Sequence, residues 1–530
     1  MRYPPDATLV EVEPTSRTCS RSKVRESAGI AIALALPVVS VLVVLETAYV
    51  ARNTFWGDPT IYFVFARNVA VGHPFQFNPG QFSSGVSSVL WELVLAVPFV
   101  IGAGVAGAKV WSATFGLVAV LTGLMVAWRV SRSLIAAGLA TLLLAGVVAF
   151  YAAVGYDSGM TLTLITLTVP IGQQVHDSAG RRSILALGLL WALLPLARPD
   201  TTALVILQLG ALAIPASRSR RLLLFTSAAV ASVPSLLYYG YSQLVLGTYS
   251  VSNATRTLDE QQLASRLGPI LFSSQAIGYL LGIALVLALA AVGLRVLWSD
   301  KRRRWVATYG ATSIAIYGFV LMFYPVTIYM DRYFLPAVPF VVVGVAAALA
   351  EVLLNRTARA PGVILACGLF LPSLAGPLAL AVQQSQLGYT FDAITERDVV
   401  AQVNVLAPRG ATVLGYEVQD RFGLRPDLRY LAVNGLTDGL ITRYREHGTV
   451  ALFLERYRPL FWIADDPPAG QEYTAGTVLK EAVSRFEADS TLSSVTLDGI
   501  RFHVVARRLR SDTQSLSWRY LVRLSYGVAG

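Results

Sequence analysis

The sequence predicts a mainly α protein, a polytopic membrane helical bundle followed by a C-terminal α/β domain. The chain has 530 residues, 55% of them hydrophobic, and its mean hydropathy is +0.57. Charged residues make up only 14%, whereas soluble domains contain roughly 25%. Apolar runs close to the ~20 residues that cross a bilayer recur along the chain. After about residue 384 the composition returns to that of a globular domain.

Composition also excludes several classes of function. Cys19 and Cys367 lie far apart, so neither a disulfide framework nor a Cys-x-x-Cys site is expected. The four histidines lack the spacing of a zinc site. These patterns indicate no particular cofactor; a divalent metal stays open and would need oxygen ligands. The net charge of +11 comes from short basic clusters between apolar runs, which indicates membrane topology rather than nucleic-acid binding.

The chain begins with a polar, basic segment, residues 1–27, which we predict to be a cytoplasmic tail. The apolar run that follows, to about Val50, is too long for a signal peptide and indicates a retained first span. About eleven spans are expected within residues 28–383. The later runs cover residues 106–127, 133–154, 158–175, 184–198, 201–216, 222–240, 269–298, 305–324, 334–354 and 361–383.

The apolar segment 87–103, which contains Glu92 and Pro98, decides the topology. If it lies along the membrane surface, five basic clusters fall on the cytoplasmic side; if it crosses, all five move outside, against the positive-inside rule. We therefore predict an interfacial helix. The clusters are Arg129/Arg132, Arg181/Arg182, Arg218/Arg220/Arg221, Lys301–Arg304 and Arg356/Arg359.

This topology predicts a multi-pass protein of the plasma (inner) membrane with a cytoplasmic N-terminus. Loop 51–105 then lies outside, and the odd number of spans also places residues 384–530 outside. Short apolar stretches in that last segment, such as residues 411–415 and 460–464, are typical of strands in an α/β domain.

Charged residues near a membrane are costly to bury and therefore informative. Asp58 follows the first span and could act as a general base. It could equally be an N-cap, because Pro59 follows at the first helical position. Arg67 would point roughly 180° away from Asp58 on a continuing helix, and it could bind substrate or snorkel toward the surface.

Three further groups lie at the predicted outer ends of spans. Arg198 and Asp200 interrupt an apolar stretch, where Arg198 could bind a phosphate or simply pair with Asp200. Asp157 could serve the site or only form a turn. A second arginine, Arg332, stands beside Tyr333, which could instead belong to an aromatic belt.

These segments, in this order, resemble the GT-C superfamily of polytopic glycosyltransferases, which use polyprenyl-phosphate-linked sugars. The nearest branch is similar to the terminal arabinofuranosyltransferases of actinobacterial cell walls. The resemblance rests on Asp58, Ala66-Arg67-Asn68, Gly72-His73, Phe77-Asn78-Pro79-Gly80-Gln81, Val86–Trp91, Ser158-Gly159-Met160, Ala197–Asp200, Asp331–Pro336 and Val433–Asp438.

The resemblance implies that Asp58 is the catalytic base. It also implies that the donor or acceptor is bound by a further set of side chains at the other motifs. Gly57 replaces the first member of the family's acidic pair and Thr161 replaces a glutamate, so we expect no metal bridged by paired acids. The implied binding residues are Arg67, Asn78, Asp157, Arg198, Asp200, Arg332 and Tyr333.

The predicted function is transfer of a sugar from a polyprenyl-phosphate donor to a cell-envelope glycan or glycolipid at the outer face of the membrane. A lipid-linked sugar transporter or flippase is one alternative, although polar residues would then be expected at mid-depth in the spans. A non-catalytic scaffold of envelope assembly is the other. The predicted partners are the lipid-linked sugar, the acceptor and the bilayer.

Overall fold

The computed structural model describes most of the chain and confirms a helical bundle with a sheet-containing C-terminal domain. The described residues are 17–55, 57–178, 180–246, 274–323, 333–354, 368, 375–384, 399–415, 420–433, 441, 444, 447–465, 478–511 and 516–527. The bundle helices are α1 (Arg17–Val50), α4 (Gly104–Ser131), α5 (Leu134–Val154), α6 (Ser158–Ser178), α7 (Arg181–Ala197), α8 (Thr202–Ala213), α9 (Arg218–Leu246), α10 (Ser274–Ser299), α11 (Arg304–Phe323) and α12 (Val338–Leu354).

Within the described part of the chain, six helices are long and apolar enough to cross a membrane, and the protein is a multi-pass membrane protein. Several other predicted spans form helices that do not meet this standard of length and composition, so the count of eleven stays a prediction. Most of the predicted span 361–383 lies outside the described residues. The six are Ala31–Val50, Gly104–Ser131, Leu134–Val154, Arg218–Leu246, Gly282–Ser299 and Leu335–Leu354.

Basic residues gather at one end of the bundle and bind the carbonyl groups that end its helices. Arg303 donates to the carbonyl of Val130 at 2.6 Å, and Arg220 donates to that of His176 at 2.9 Å. Cations are favoured at the C-terminal ends of helices, where carbonyls lack partners. Turns that carry four of the five predicted clusters therefore meet at this end; Arg356/Arg359 lie outside the described residues. Which side of the membrane this end faces stays a prediction.

The first loop contains a short helix α2 (Pro59–Ala70), a hairpin of β1 (Gln76–Asn78) and β2 (Gln81–Phe82), and a second helix α3 (Val89–Val100). Ser88 caps α3 by accepting a hydrogen bond from the Trp91 amide at 3.3 Å. With 12 residues, α3 is too short to cross a bilayer. This length agrees with the predicted interfacial helix.

The C-terminal domain has a six-stranded mixed sheet in the order β4-β3-β5-β8-β7-β6. Strand β3 pairs in parallel with β4 and β5, and the remaining pairs are antiparallel. Its elements are α13 (Val399–Leu406), β3 (Thr412–Gly415), α14 (Asp420–Gly423), β4 (Arg429–Ala432), α15 (Val450–Tyr457), β5 (Phe461–Asp465), α16 (Val478–Ala488), β6 (Ser494–Leu497), β7 (Ile500–Ser511) and β8 (Leu516–Tyr526).

The hairpin of the first loop docks onto β4, an edge strand of this sheet. The Asn78 amide donates to the carbonyl of Tyr430 at 2.7 Å and accepts from its N–H at 2.9 Å. Beside it, Arg429 donates to the side-chain oxygen of Gln81 at 2.9 Å. One side chain thus occupies both backbone groups of Tyr430, as a neighbouring strand would. We call this contact region between the first loop and the C-terminal domain the seam.

Candidate functional site

Asp58 stands at the start of α2, and its side chain does not cap that helix. Gly57 has φ +70°, in the left-handed region that favours glycine, and Asp58 has helical backbone angles. No hydrogen bond joins its carboxylate to an N–H of the first turn, so the capping alternative is not observed. The side chain is partly exposed. A carboxylate in this state can reach a substrate.

The start of α2 lies against the turn that joins α5 and α6. Gly155 in this turn has φ +110°, and a Cβ there would lie 3.3 Å from the Cβ of Pro59 and nearer still to the ring of Phe63. Only glycine fits both the backbone angle and the space. The indole of Trp91 on α3 donates to the Gly155 carbonyl at 3.0 Å. This packing brings Asp58 and Asp157, which lie on either side of the contact, to the same end of the bundle.

Asp157, Arg198 and Asp200 form the charged centre of that end. Arg198 donates from Nε and one terminal nitrogen to the two carboxylate oxygens of Asp200, at 3.1 and 2.9 Å. Its other terminal nitrogen lies 4.0 Å from a carboxylate oxygen of Asp157. Asp157 is fully buried and Arg198 is nearly so. The local Arg198–Asp200 pairing is therefore present, and it also fixes the plane of the guanidinium.

Tyrosines surround this charged centre. The ring of Tyr333 has its centroid 5.9 Å from Cζ of Arg198, within cation–π range. The Tyr317 hydroxyl donates to the carbonyl of Asp200 at 2.8 Å, and that of Tyr239 donates to Pro195 at 3.1 Å. Sequence reasoning missed both tyrosines: Tyr239 lies at the end of the apolar run 222–240, and Tyr317 lies inside the run 305–324. The predicted Arg332 lies outside the described residues.

Arg67 and Asn78 do not join this group. Arg67 lies nine residues after Asp58, or about 14 Å along α2 at 1.5 Å per residue. The amide of Asn78 is engaged with the backbone of Tyr430, as described above. The structure thus gives Asn78 a role in domain docking, and its predicted contact with substrate stays a prediction.

Two buried ionisable residues near the site had no predicted role. Lys109 on α4 donates to the carbonyls of Ala51 and Thr54, just after α1 ends, at 2.6 and 2.5 Å. Glu92 on α3 accepts a hydrogen bond from the Phe75 amide at 2.9 Å, and burial raises the pKa of this carboxyl to about 8. Both hold the first loop against the bundle. A lysine inside an apolar run was the signal for Lys109.

Among the residues that the structure describes, no three His, Cys, Asp or Glu side chains come close enough together to hold a metal ion. The described site offers instead carboxylates at Asp58, Asp157 and Asp200 and one guanidinium at Arg198. This set can move a proton and can stabilise negative charge.

Comparison with known proteins gives similarity in structure alone. No family model matches the chain, and no curated protein matches its sequence. The crystal structure of ArnT from Cupriavidus metallidurans bound to undecaprenyl phosphate superposes with a TM-score of 0.58 at 15% identity, covering 92% of this chain and 97% of that one. The apo structure of the same ArnT superposes with a TM-score of 0.55 at 15% identity, covering 95% of this chain and 98% of that one.

A third structure extends the similarity to another enzyme. The oligosaccharyltransferase of Archaeoglobus fulgidus, in complex with Zn and sulfate, superposes with a TM-score of 0.50 at 11% identity, over 81% of this chain and 68% of that one. The arabinofuranosyltransferase branch is not tested by these structures. ArnT and the oligosaccharyltransferase both belong to the GT-C superfamily, and the chain described here has the GT-C fold.

Proposed function

We propose that this protein is a membrane glycosyltransferase that moves a sugar from a polyprenyl-phosphate donor to a cell-envelope glycan or glycolipid at the outer face of the membrane. One observation carries the proposal: the fold matches, over 92% of this chain and 97% of the other, an ArnT chain bound to undecaprenyl phosphate. In this chain the partly exposed carboxylate of Asp58 and the buried guanidinium of Arg198 lie at one end of that fold. The phosphate of the donor would bind at this end, and its lipid tail would lie among the helices.

Asp58 acts as the general base in this reaction. It takes the proton of an acceptor hydroxyl, whose oxygen forms a bond to the anomeric carbon of the donor sugar. The bond between that carbon and the phosphate oxygen breaks, and the polyprenyl phosphate leaves with the electron pair. Proton removal by a positioned side chain contributes typically 10²–10⁴-fold to a rate, which sets the effect expected from its loss.

Arg198 stabilises the negative charge that collects on the leaving phosphate, and Arg332 is the alternative residue for this role. The two hydrogen bonds from Arg198 to Asp200 hold its guanidinium in one plane. A charge that is already oriented needs no reorganisation during the reaction, and it acts strongly where water is excluded. Tyr333 on one face of Arg198 limits the directions from which the phosphate can approach.

The sugar is proposed to be arabinofuranose or another pentose or hexose, from the branch that the first-loop motifs resemble. The acceptor is proposed to be an envelope glycan or a glycolipid. The C-terminal domain, which the seam joins to the first loop, is proposed to hold a growing polysaccharide acceptor.

The test is sugar transfer from a panel of polyprenyl-phosphate sugars to envelope glycan, in membranes that contain matched amounts of wild type or Asp58→Asn. We expect one sugar to be transferred by wild type, and a loss of ~10²-fold or more in the variant. Asp177→Asn is the matched control, because this exposed carboxylate lies at the opposite, basic end of the bundle. Transfer by neither protein would favour the transporter or the scaffold, and equal transfer by both would remove Asp58 as the base.

A further inference from the structure

Two arginines from distant parts of the chain come together at the seam. Arg67 lies in the last turn of α2, and Arg421 lies on α14 of the C-terminal domain. The ring of Phe422 lies 6.0 Å from that of Phe63 and 5.4 Å from that of Phe55, so α14 packs directly on α2. Arg67 follows Phe63 by four residues on α2, so it lies on the same face of the helix as the ring that contacts Phe422.

Arg421 is fully buried, yet its hydrogen-bonding capacity is only partly used. Its two terminal nitrogens donate to the carbonyls of Arg425 and Pro426 at 3.0 and 3.2 Å. Its Nε is buried and has no hydrogen-bond partner among the described residues. Buried donors are almost always bonded in native proteins, so an unused donor on a buried cation points to something that binds there.

Arg67 shows the same feature from the other side of the seam. One terminal nitrogen of its guanidinium is buried without a hydrogen-bond partner in the described part of the chain, although the residue as a whole is partly exposed. Burial lowers the pKa of Arg67. Burial, and then the charge of Arg67, lowers the pKa of Arg421 to about 10. Two like charges that both lose water repel each other, and an anion between them would remove the cost.

Two carboxylates of the described residues lie near Arg421 in sequence, and both are held by other cations. Asp427 attracts Arg421, but its two carboxylate oxygens each accept a hydrogen bond from Arg425 at 3.1 Å. Asp420, the neighbour of Arg421 in sequence, is bound by Arg519 at 2.7 and 2.6 Å. Arg421 stabilises the turn at residues 425–426, and this role explains its contacts with the two carbonyls. It does not explain the unused Nε donor of Arg421 or the unused terminal nitrogen of Arg67.

We propose that Arg67 and Arg421 form an anion site at the seam that binds a phosphate group, which enters from the partly exposed side of Arg67. Guanidinium groups present planar forks of donors that match phosphate oxygens. The phosphate comes either from a soluble or polymer-borne ligand or from a lipid headgroup. Since Arg67 lies about 14 Å along α2 from Asp58, this site is separate from the proposed reaction and does not depend on it.

The test is the affinity of purified full-length protein in detergent for inorganic phosphate, measured calorimetrically at constant ionic strength with chloride as the balancing anion. We expect saturable binding to wild type and a loss of affinity of ~10-fold or more in Arg67→Gln, because a hydrogen bond to a charged group contributes ~1.5–3 kcal/mol. Arg52→Gln is the matched control: Arg52 is exposed, follows α1 at the same end of the bundle and should leave phosphate binding unchanged.

Arg421→Lys provides a second variant that keeps the buried charge and loses the Nε donor, and we expect it to weaken phosphate binding as well. Nanodiscs of phosphatidylglycerol and of phosphatidylcholine separate the two sources. If the anionic lipid reduces phosphate binding, the ligand is a headgroup; if both lipids leave it unchanged, the ligand is soluble or polymer-borne. Failure of wild type to bind phosphate, or equal binding by wild type and Arg67→Gln, would overturn the proposal.

Discussion

Asn78→Ala should open the seam by removing its central contact. The Asn78 amide makes two hydrogen bonds with the backbone of Tyr430, at 2.7 and 2.9 Å. Asn78 is 4% exposed and Tyr430 is 0% exposed, so water cannot replace the lost partner in the closed seam. The N–H and the C=O of Tyr430 would both stay buried without a partner.

The size of the effect follows from these two groups. Leaving one buried donor or acceptor unsatisfied costs ~1–3 kcal/mol, so the variant should weaken the docking of the hairpin onto β4 by ~2–6 kcal/mol. Since 1.4 kcal/mol is a factor of ten in an equilibrium, local opening at Tyr430 should become at least ~30-fold more frequent.

Amide hydrogen exchange, followed by mass spectrometry on a peptide that contains Tyr430, measures this opening directly. Gln81→Ala is the matched control, because it removes a neighbouring contact of the same seam, the hydrogen bond from Arg429. Gln81 and Arg429 are both partly exposed, so we expect that loss to cost only ~0.5–1.5 kcal/mol. Exchange at Tyr430 that is unchanged in Asn78→Ala, or that rises equally in Gln81→Ala, would refute the reasoning.

Two further predictions concern the buried ionisable residues of the first loop. Burial raises the pKa of Glu92 from 4.5 to about 8 in the folded protein, so its contribution to stability is complete below pH 4.5 and should be lost, by roughly 5 kcal/mol, as the pH rises through 8. Glu92→Gln should remove this part of the pH dependence of the free energy of unfolding. Identical pH slopes for wild type and variant would contradict the raised pKa of Glu92. Lys109→Met should leave the Ala51 and Thr54 carbonyls without their donor and lower the free energy of unfolding by ~2 kcal/mol or more. The measurement is the thermal midpoint of unfolding in detergent, which should fall. An unchanged midpoint would show that water replaces the ammonium group.

The helices were predictable because their signals are local. The apolar runs mark α4, α5 and α12 within a few residues, and the charge distribution identifies segment 87–103 as one that does not cross, which agrees with the 12-residue α3. The pairing of Arg198 with Asp200 was also foreseen as an alternative, because two residues of separation already bring the side chains within reach.

The seam was not predictable because its contacts join residues that are far apart in the chain. Asn78 and Tyr430 are separated by 352 positions, and a single sequence holds no information on which strand edge an asparagine will meet. The first-loop motif drew attention to Asn78 but could not distinguish docking from substrate binding. Arg421 gave no signal at all, because one arginine in a basic, globular segment resembles any other until its neighbours are known.

The position of Asp58 therefore depends on both parts of the molecule. On one side, the turn at Gly155 accepts Pro59 and Phe63 at a distance that only glycine allows. On the other side, Phe422 of the C-terminal domain packs on Phe63. The helix that begins beside the proposed base is thus held between the bundle and the domain. The proposed anion site at Arg67 lies at the far end of the same 12-residue helix, so the contacts of the seam and those of the bundle together fix where Asp58 stands.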